Sequence, residues 1–247
     1  SYIIIYEDGG NMAKSYESTR NFELKAAASE AVLKGIAEDG GLFVMRNLGE
    51  RKVNIHSLVG KNYVEIAEVI LEILLDDFSK DKLKECIRKA YTDKFSAEEI
   101  TPVVKVGQNY VTELFHGPTS AFKDVALSIL PHLMTAAYEM NGINSEIIIL
   151  TATSGDTGKA ALEGFKDVKG TRIIVFYPEG GVSQIQETQM ITQEGNNTFV
   201  CAIEGNFDDA QTGVKKIFAN ENFIKEMAAK NKILSSANSI NIGRLVP

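Results

Sequence analysis

The chain has 247 residues, 44% of them hydrophobic, with a formal net charge of −7 and a pI near 5.2. That length supports one large domain or two modest ones. The acidic balance, with basic residues scattered or only paired as in Arg51-Lys52 and Lys215-Lys216, speaks against a nucleic-acid surface.

Cys86 and Cys201 show no framework spacing, and His56, His116 and His132 show no metal-ligand spacing. No metal is therefore expected, and the cysteine usage fits a reducing cytosol. The apolar run Tyr2–Tyr6 is too short for a secretory h-region, and no stretch approaches the roughly 20 apolar residues of a membrane span. A cytoplasmic protein without membrane contact is the expectation.

Residues 1–11 have no evident place in a core, and Met12 is a candidate original start. A helix is expected over Ser29–Ala37, with Val32, Leu33 and Ile36 on one face, ending before Asp39-Gly40-Gly41. Leu42-Phe43-Val44 reads as a short extended segment. Two more helices follow. Tyr63–Phe78 carries Ile66, Val69, Ile70, Ile73 and Leu74 on a stripe, and Ser79–Lys94 carries Leu83, Ile87, Ala90 and Tyr91. Ser79 or Asp81 is placed to cap the latter. Residues 1–100 thus read as a mainly helical region, and 101–247 as a separate α/β unit.

Val103–Val106 and Tyr110–Leu114 flank Gly107-Gln108-Asn109, a hairpin pattern. A helix is expected from Thr119 to Met140, kinked at Pro131. Three apolar strands then alternate with helices: Glu146–Leu150, Arg172–Tyr177 and Thr198–Ile203, with helices Thr157–Phe165, Ser183–Gln193 and Asp208–Asn220. This is the pattern of an open parallel sheet with right-handed crossovers in a three-layer αβα arrangement. Such sheets place ligands at the carboxyl ends of their strands, where Thr153–Gly158 falls. Residues 233–244 mix apolar and polar side chains, and no closing element is expected there.

Two stretches carry candidate chemistry. Lys123 stands at a helix start beside Ala121 and Phe122, a setting in which a lysine amine serves as nucleophile and proton carrier. The competing reading is a solvated lysine paired with Asp124 or Glu113. Thr153-Ser154-Gly155-Asp156-Thr157-Gly158 is a glycine turn at a helix N-terminus, suited to a carboxylate or phosphate. It is not a nucleotide P-loop, because Thr153 and Ala160 stand where that pattern needs Gly and Ser or Thr.

Together, His116-Gly117-Pro118-Thr119 through Phe122-Lys123-Asp124 and Thr151–Ala161 resemble threonine synthase, a pyridoxal-phosphate (PLP) enzyme of the tryptophan-synthase-β-like fold. The resemblance extends to Tyr16–Arg20, Glu30–Val44 and Ser236–Arg244. It implies that Lys123 is the Schiff-base lysine, and that Phe122 and Asp156 contact the cofactor. It implies further that Thr153, Ser154, Gly155 and Thr157 hold the substrate, and that Asn238, Ser239, Asn241 and Arg244 receive its phosphate. The implied reaction converts O-phospho-L-homoserine and water to L-threonine and phosphate. A phospho-lyase releasing a keto acid and a non-catalytic binding homologue are the alternatives. The family's second glycine-rich loop, which takes the cofactor phosphate, is not among these 247 residues. The chain by itself is therefore expected to be inactive and to bind PLP weakly.

Overall fold

The computed structural model describes residues 14–237 and 241–245. The expectations for residues 1–11, Asn238 and Ser239 lie outside the described residues.

The N-terminal region is helical around a small antiparallel sheet. Strand β1 (Tyr16–Ser18) is central, between β2 (Lys25–Ala26) and β3 (Phe43–Met45). Tyr16 is fully buried, and its hydroxyl donates to the Leu74 carbonyl at 2.7 Å. Helix α1 (Ala28–Lys34) starts where Ala27 N–H donates to Glu30. It stops at Gly35, whose φ is 69°. The expected run to Ala37 is thus cut short, because glycine adopts this left-handed geometry without strain. Ile36, now beyond the helix, is 43% exposed and leaves the face shared by buried Val32 and Leu33.

Helix α2 (Tyr63–Leu74) is closed by a reciprocal Asn62–Glu65 cap. It ends earlier than Phe78, and its core-facing stripe is Val64, Ala67, Leu71 and Leu74. Of the stripe read from sequence, only Leu74 belongs to it; Ile66, Val69, Ile70 and Ile73 are half-buried. Both faces of this helix are apolar, so periodicity alone cannot select the inward one. Helix α3 (Lys80–Tyr91) is capped by Ser79, not Asp81, and buries Leu83, Ile87, Ala90 and Tyr91 as expected. Hairpin strands β4 (Val103–Val106) and β5 (Asn109–Thr112) form in the expected place, turning at Gly107 with φ 63°.

No single helix spans Thr119–Met140. Two helices, α4 (Asp124–Leu127) and α5 (Leu130–Met140), take its place. Pro131 stands in the first turn of α5, not within a kink, because it has no N–H to offer Leu127 and is well tolerated at a helix start.

Then come β6 (Glu146–Ala152), α6 (Asp156–Phe165), β7 (Thr171–Pro178), α7 (Gln184–Ile191), β8 (Thr198–Ile203), α8 (Phe207–Ala219), α9 (Glu221–Ala229), β9 (Lys232–Ser235) and α10 (Ile242–Leu245). The sheet is parallel throughout, in the order β8-β7-β6-β9. The fourth strand, β9, and helix α9 correct the expectation that nothing closes this region.

Ile147, Ile149, Ile173 and Val175 point from one face into the main core beside α6, while α8 packs on β6 and β7. After β8 the chain reverses direction and places β9 on the far side of β6. The crevice between the carboxyl ends of β6 and β9 is therefore the topological switch point, where open parallel sheets bind ligands.

One cluster of buried side chains runs from Tyr16 to Ala237, across residue 100. The last carbonyls of α1 are satisfied from β9 and beyond: Ser235 Oγ donates to Leu33 O at 3.0 Å, and Asn241 Nδ2 to Val32 O at 2.8 Å. Helix-terminal carbonyls lack internal partners, so these bonds join the two ends of the chain. Among the described residues no helix is long and apolar enough to cross a membrane.

Candidate active site

The lysine segment is fixed from behind. His116 Nε2 lies 2.7 Å from Glu113 Oε2, and its Nδ1 lies 3.0 Å from Ser96 Oγ. Ser96 N–H also donates to the His116 carbonyl at 2.8 Å. Gly117 is required at the next step, because a β-carbon there would come within 2.4 Å of Asp124 Cβ. Asp124 is 2% exposed and accepts from both the N–H and the hydroxyl of Thr119. Burial pushes its carboxyl up, against the pull of those hydrogen bonds. Lys123 then immediately precedes α4 as its N-cap residue, rather than lying within the expected Thr119–Met140 helix.

The second stretch leaves β6 and enters α6. Thr153 is 1% exposed, and its hydroxyl accepts from Gly155 N–H at 3.0 Å and Gly158 N–H at 2.9 Å. Thr153 therefore builds the turn. Gly155 has φ 145°, a region closed to side-chain-bearing residues, and a β-carbon there would lie 2.5 Å from the Gln186 side chain. Gln186 was missed in the sequence, although the Ser183–Gln186 capping box that holds it is legible there.

The two stretches meet at Lys123 Nζ and Asp156 Oδ2, 2.7 Å apart. The lysine side chain is 18% exposed and the aspartate 47%. The ammonium also sits 4.3 Å from the centre of the Phe122 ring. Neither Asp124 nor Glu113 takes the pairing role foreseen for a solvated lysine. Burial would raise the Asp156 carboxyl, but the Lys123 hydrogen bond and charge, with the Thr157 N–H, outweigh it and hold the carboxyl below its ordinary value. The hydroxyls of Ser154 and Thr157 have no hydrogen-bond partner among the described residues and remain available to a ligand.

Arg244 lies on α10, which packs on α4 and α5. One guanidinium nitrogen donates to Ala237 O at 2.8 Å, while Nε is buried without a partner. Among the described residues no carboxylate pairs with it, and burial lowers its pKa. A half-buried cation without a counter-ion is an anion-seeking group. Asn241 is fully buried with both amide atoms engaged, Nδ2 on Val32 O and Oδ1 accepting from Gly243 N–H at 2.9 Å. Among the described residues, these elements thus offer one amine with a carboxylate partner, an aromatic wall, free hydroxyls on a glycine turn and a guanidinium without a counter-ion.

Residues 15–91 match the family model described as the threonine synthase N terminus. Threonine synthase-like 1 of Homo sapiens is 41% identical over 234 residues, covering 89% of this chain and 31% of that protein. Threonine synthase of Pseudomonas aeruginosa is 37% identical over 234 residues, covering 94% of this chain and 48% of that protein. Among solved structures, PLP-bound threonine synthase from Brucella melitensis superposes with a TM-score of 0.80 at 37% identity, over 93% of this chain and 48% of that one. Yeast threonine synthase gives 0.82 at 32% identity, over 96% and 48%. The chain has the fold of the N-terminal part of threonine synthases, and it spans about half the length of those threonine synthases and under a third of threonine synthase-like 1.

Proposed function

We propose that this chain is the N-terminal part of a PLP-dependent threonine synthase, acting on O-phospho-L-homoserine and water to give L-threonine and phosphate. The observation that carries the reading is the 2.7 Å contact between Lys123 and Asp156, which joins two motifs 33 residues apart at the carboxyl end of β6.

The residues present suit the cofactor. Lys123 supplies an amine for its aldehyde, and the 59%-exposed Phe122 ring supplies an apolar wall. Asp156 stands ready for a polar ring substituent, at a turn that admits no side chain at Gly155. When bound, PLP supplies an electron sink for negative charge developing at the substrate's α-carbon.

The chain's own groups then divide the remaining work. The Lys123 amine takes a proton from the substrate carbon and returns one. Asp156 holds the ammonium form in place between those transfers. The Ser154 and Thr157 hydroxyls, on the turn shaped by Thr153 and Gly155, receive the substrate carboxylate. Arg244, with Asn238 and Ser239, receives its phosphate through charge-assisted hydrogen bonds. Asn241 contributes by fixing this segment against α1.

The test is product analysis with the full-length protein. L-threonine and phosphate are expected in equal amounts from O-phospho-L-homoserine, and Lys123→Ala should abolish both. A phospho-lyase of the same site is the alternative reading of these residues. Phosphate release with 2-oxobutyrate in place of threonine would establish that alternative.

A further inference from the structure

Helix α4 is only four residues long, yet it carries Lys123 at its start. Two main-chain bonds hold it, from Leu127 N–H to Lys123 O at 2.8 Å and from Ser128 N–H to Asp124 O at 2.9 Å. In a continuous helix the Val125 carbonyl would accept from the N–H of residue 129. The chain instead turns at Ser128-Ile129 to enter α5. The missing donor comes from another element: the Tyr91 hydroxyl at the end of α3 donates to Val125 O at 2.8 Å. Tyr91 is 3% exposed, and its ring packs edge-on against Tyr63 at 5.0 Å and near Phe95 at 5.9 Å. Aromatic neighbours leave such a ring little freedom, so the hydroxyl has a fixed aim.

We infer that Tyr91 is a positioning residue, holding α4 in the register that presents Lys123 to Asp156. This deepens the proposed function, since it rests on Lys123 being the cofactor-bearing lysine. The Tyr91–Val125 bond replaces a helical bond that the break before Pro131 removes. Without it, the helix keeps only its two internal bonds, and a small rotation carries the amine away from the turn. Misplacing a reacting group by about 1 Å costs on the order of a hundredfold in rate.

The experiment is reductive capture of PLP by borohydride, which leaves a stable secondary amine on the lysine that reacted, read by peptide mass spectrometry. Lys159 serves as internal reference, because its side chain is also 18% exposed. In the wild-type full-length protein, capture at Lys123 should exceed that at Lys159. Tyr91→Phe removes only the hydroxyl and should lower the Lys123-to-Lys159 ratio about tenfold. Ile87→Val, a core change one turn earlier on α3 that leaves the Tyr91 hydroxyl in place, should leave the ratio unaltered while lowering stability. An unchanged ratio in Tyr91→Phe, or an equal fall in Ile87→Val, overturns the positioning role. A wild-type ratio near one counts instead against Lys123 as the cofactor lysine.

Discussion

Gly164 lies so close to Leu127 that a β-carbon at 164 would stand 2.2 Å from the Leu127 carbonyl oxygen. That oxygen is the one Pro131 cannot bond, so α6 approaches the break between α4 and α5 at its exposed main chain. Gly164 on α6 and the proline at the start of α5 are two halves of one junction. Gly164→Ala should destabilise the protein by about 1–3 kcal/mol, as overpacking of a close contact does. Urea unfolding measures it; a change below a few tenths of a kcal/mol would show that the helices separate freely.

Asp156 separates function from stability. The Lys123–Asp156 pair is nearly half exposed on the aspartate side, so its contribution to folding is expected to be within about 1 kcal/mol. The Asp156 carboxyl is held below its ordinary value, so whatever stability it contributes is present above the unfolded-state pKa and lost as pH falls through the folded one. Asp156→Asn should therefore leave the melting temperature almost unchanged at pH 7 while greatly reducing threonine formation. Parallel losses in both would contradict this.

His132 is the acid-sensitive point of the fold. Burial, with Lys94 and Lys89 nearby, lowers its pKa from 6.5 to about 4, and its Nε2 is buried without a partner. The unfolded chain thus binds a proton at higher pH than the native one. Stability is at its full value above pH 6.5 and falls as pH drops from 6.5 toward 4, by up to about 3 kcal/mol. His132→Phe should flatten that limb of the curve without loss at pH 7. Persistence of the full acid limb in this variant would assign it to other groups.

Arg244 should act on binding of the phosphorylated substrate. In the full-length enzyme, Arg244→Met is expected to raise KM for O-phospho-L-homoserine by about 10–100-fold, the worth of a charged hydrogen bond. Inhibition by inorganic phosphate should weaken in step. An unaltered phosphate inhibition constant would place the guanidinium in a purely structural role.

Much of the sheet was legible from sequence because its strands are written as apolar runs: Ile147–Leu150 is buried on both faces, and Ile173–Val175 alternates buried and half-buried positions. Strand β9 was not, since Lys232-Ile233-Leu234-Ser235 is too short and mixed to stand out. Its identity lies in its partner, the free edge of β6. The end of α1 was misplaced because Asp39-Gly40-Gly41 offers a stronger stop than Gly35. A β-carbon at Gly35 would stand 3.1 Å from Asn241 Nδ2, a neighbour far along the chain. At the site, residue types named the groups, and the resemblance named their roles. Which of them are engaged became visible only with the hydrogen bonds: Thr153 and Asn241 are bonded inside the chain, whereas the Ser154 and Thr157 hydroxyls and the Arg244 Nε have no partner among the described residues.

The hydrogen bond from Asn241 to Val32 spans 209 residues. During synthesis the carboxyl end of α1 leaves the ribosome long before its partner is made. At about 5–20 residues per second, translation of that interval takes roughly 10–40 s. Throughout it, the first helix lacks the Ser235 and Asn241 donors to its last carbonyls. The N-terminal region is therefore a late beneficiary of folding, and a nascent chain stalled before residue 235 should show α1 open to proteolysis while the β6–β8 layer is already protected.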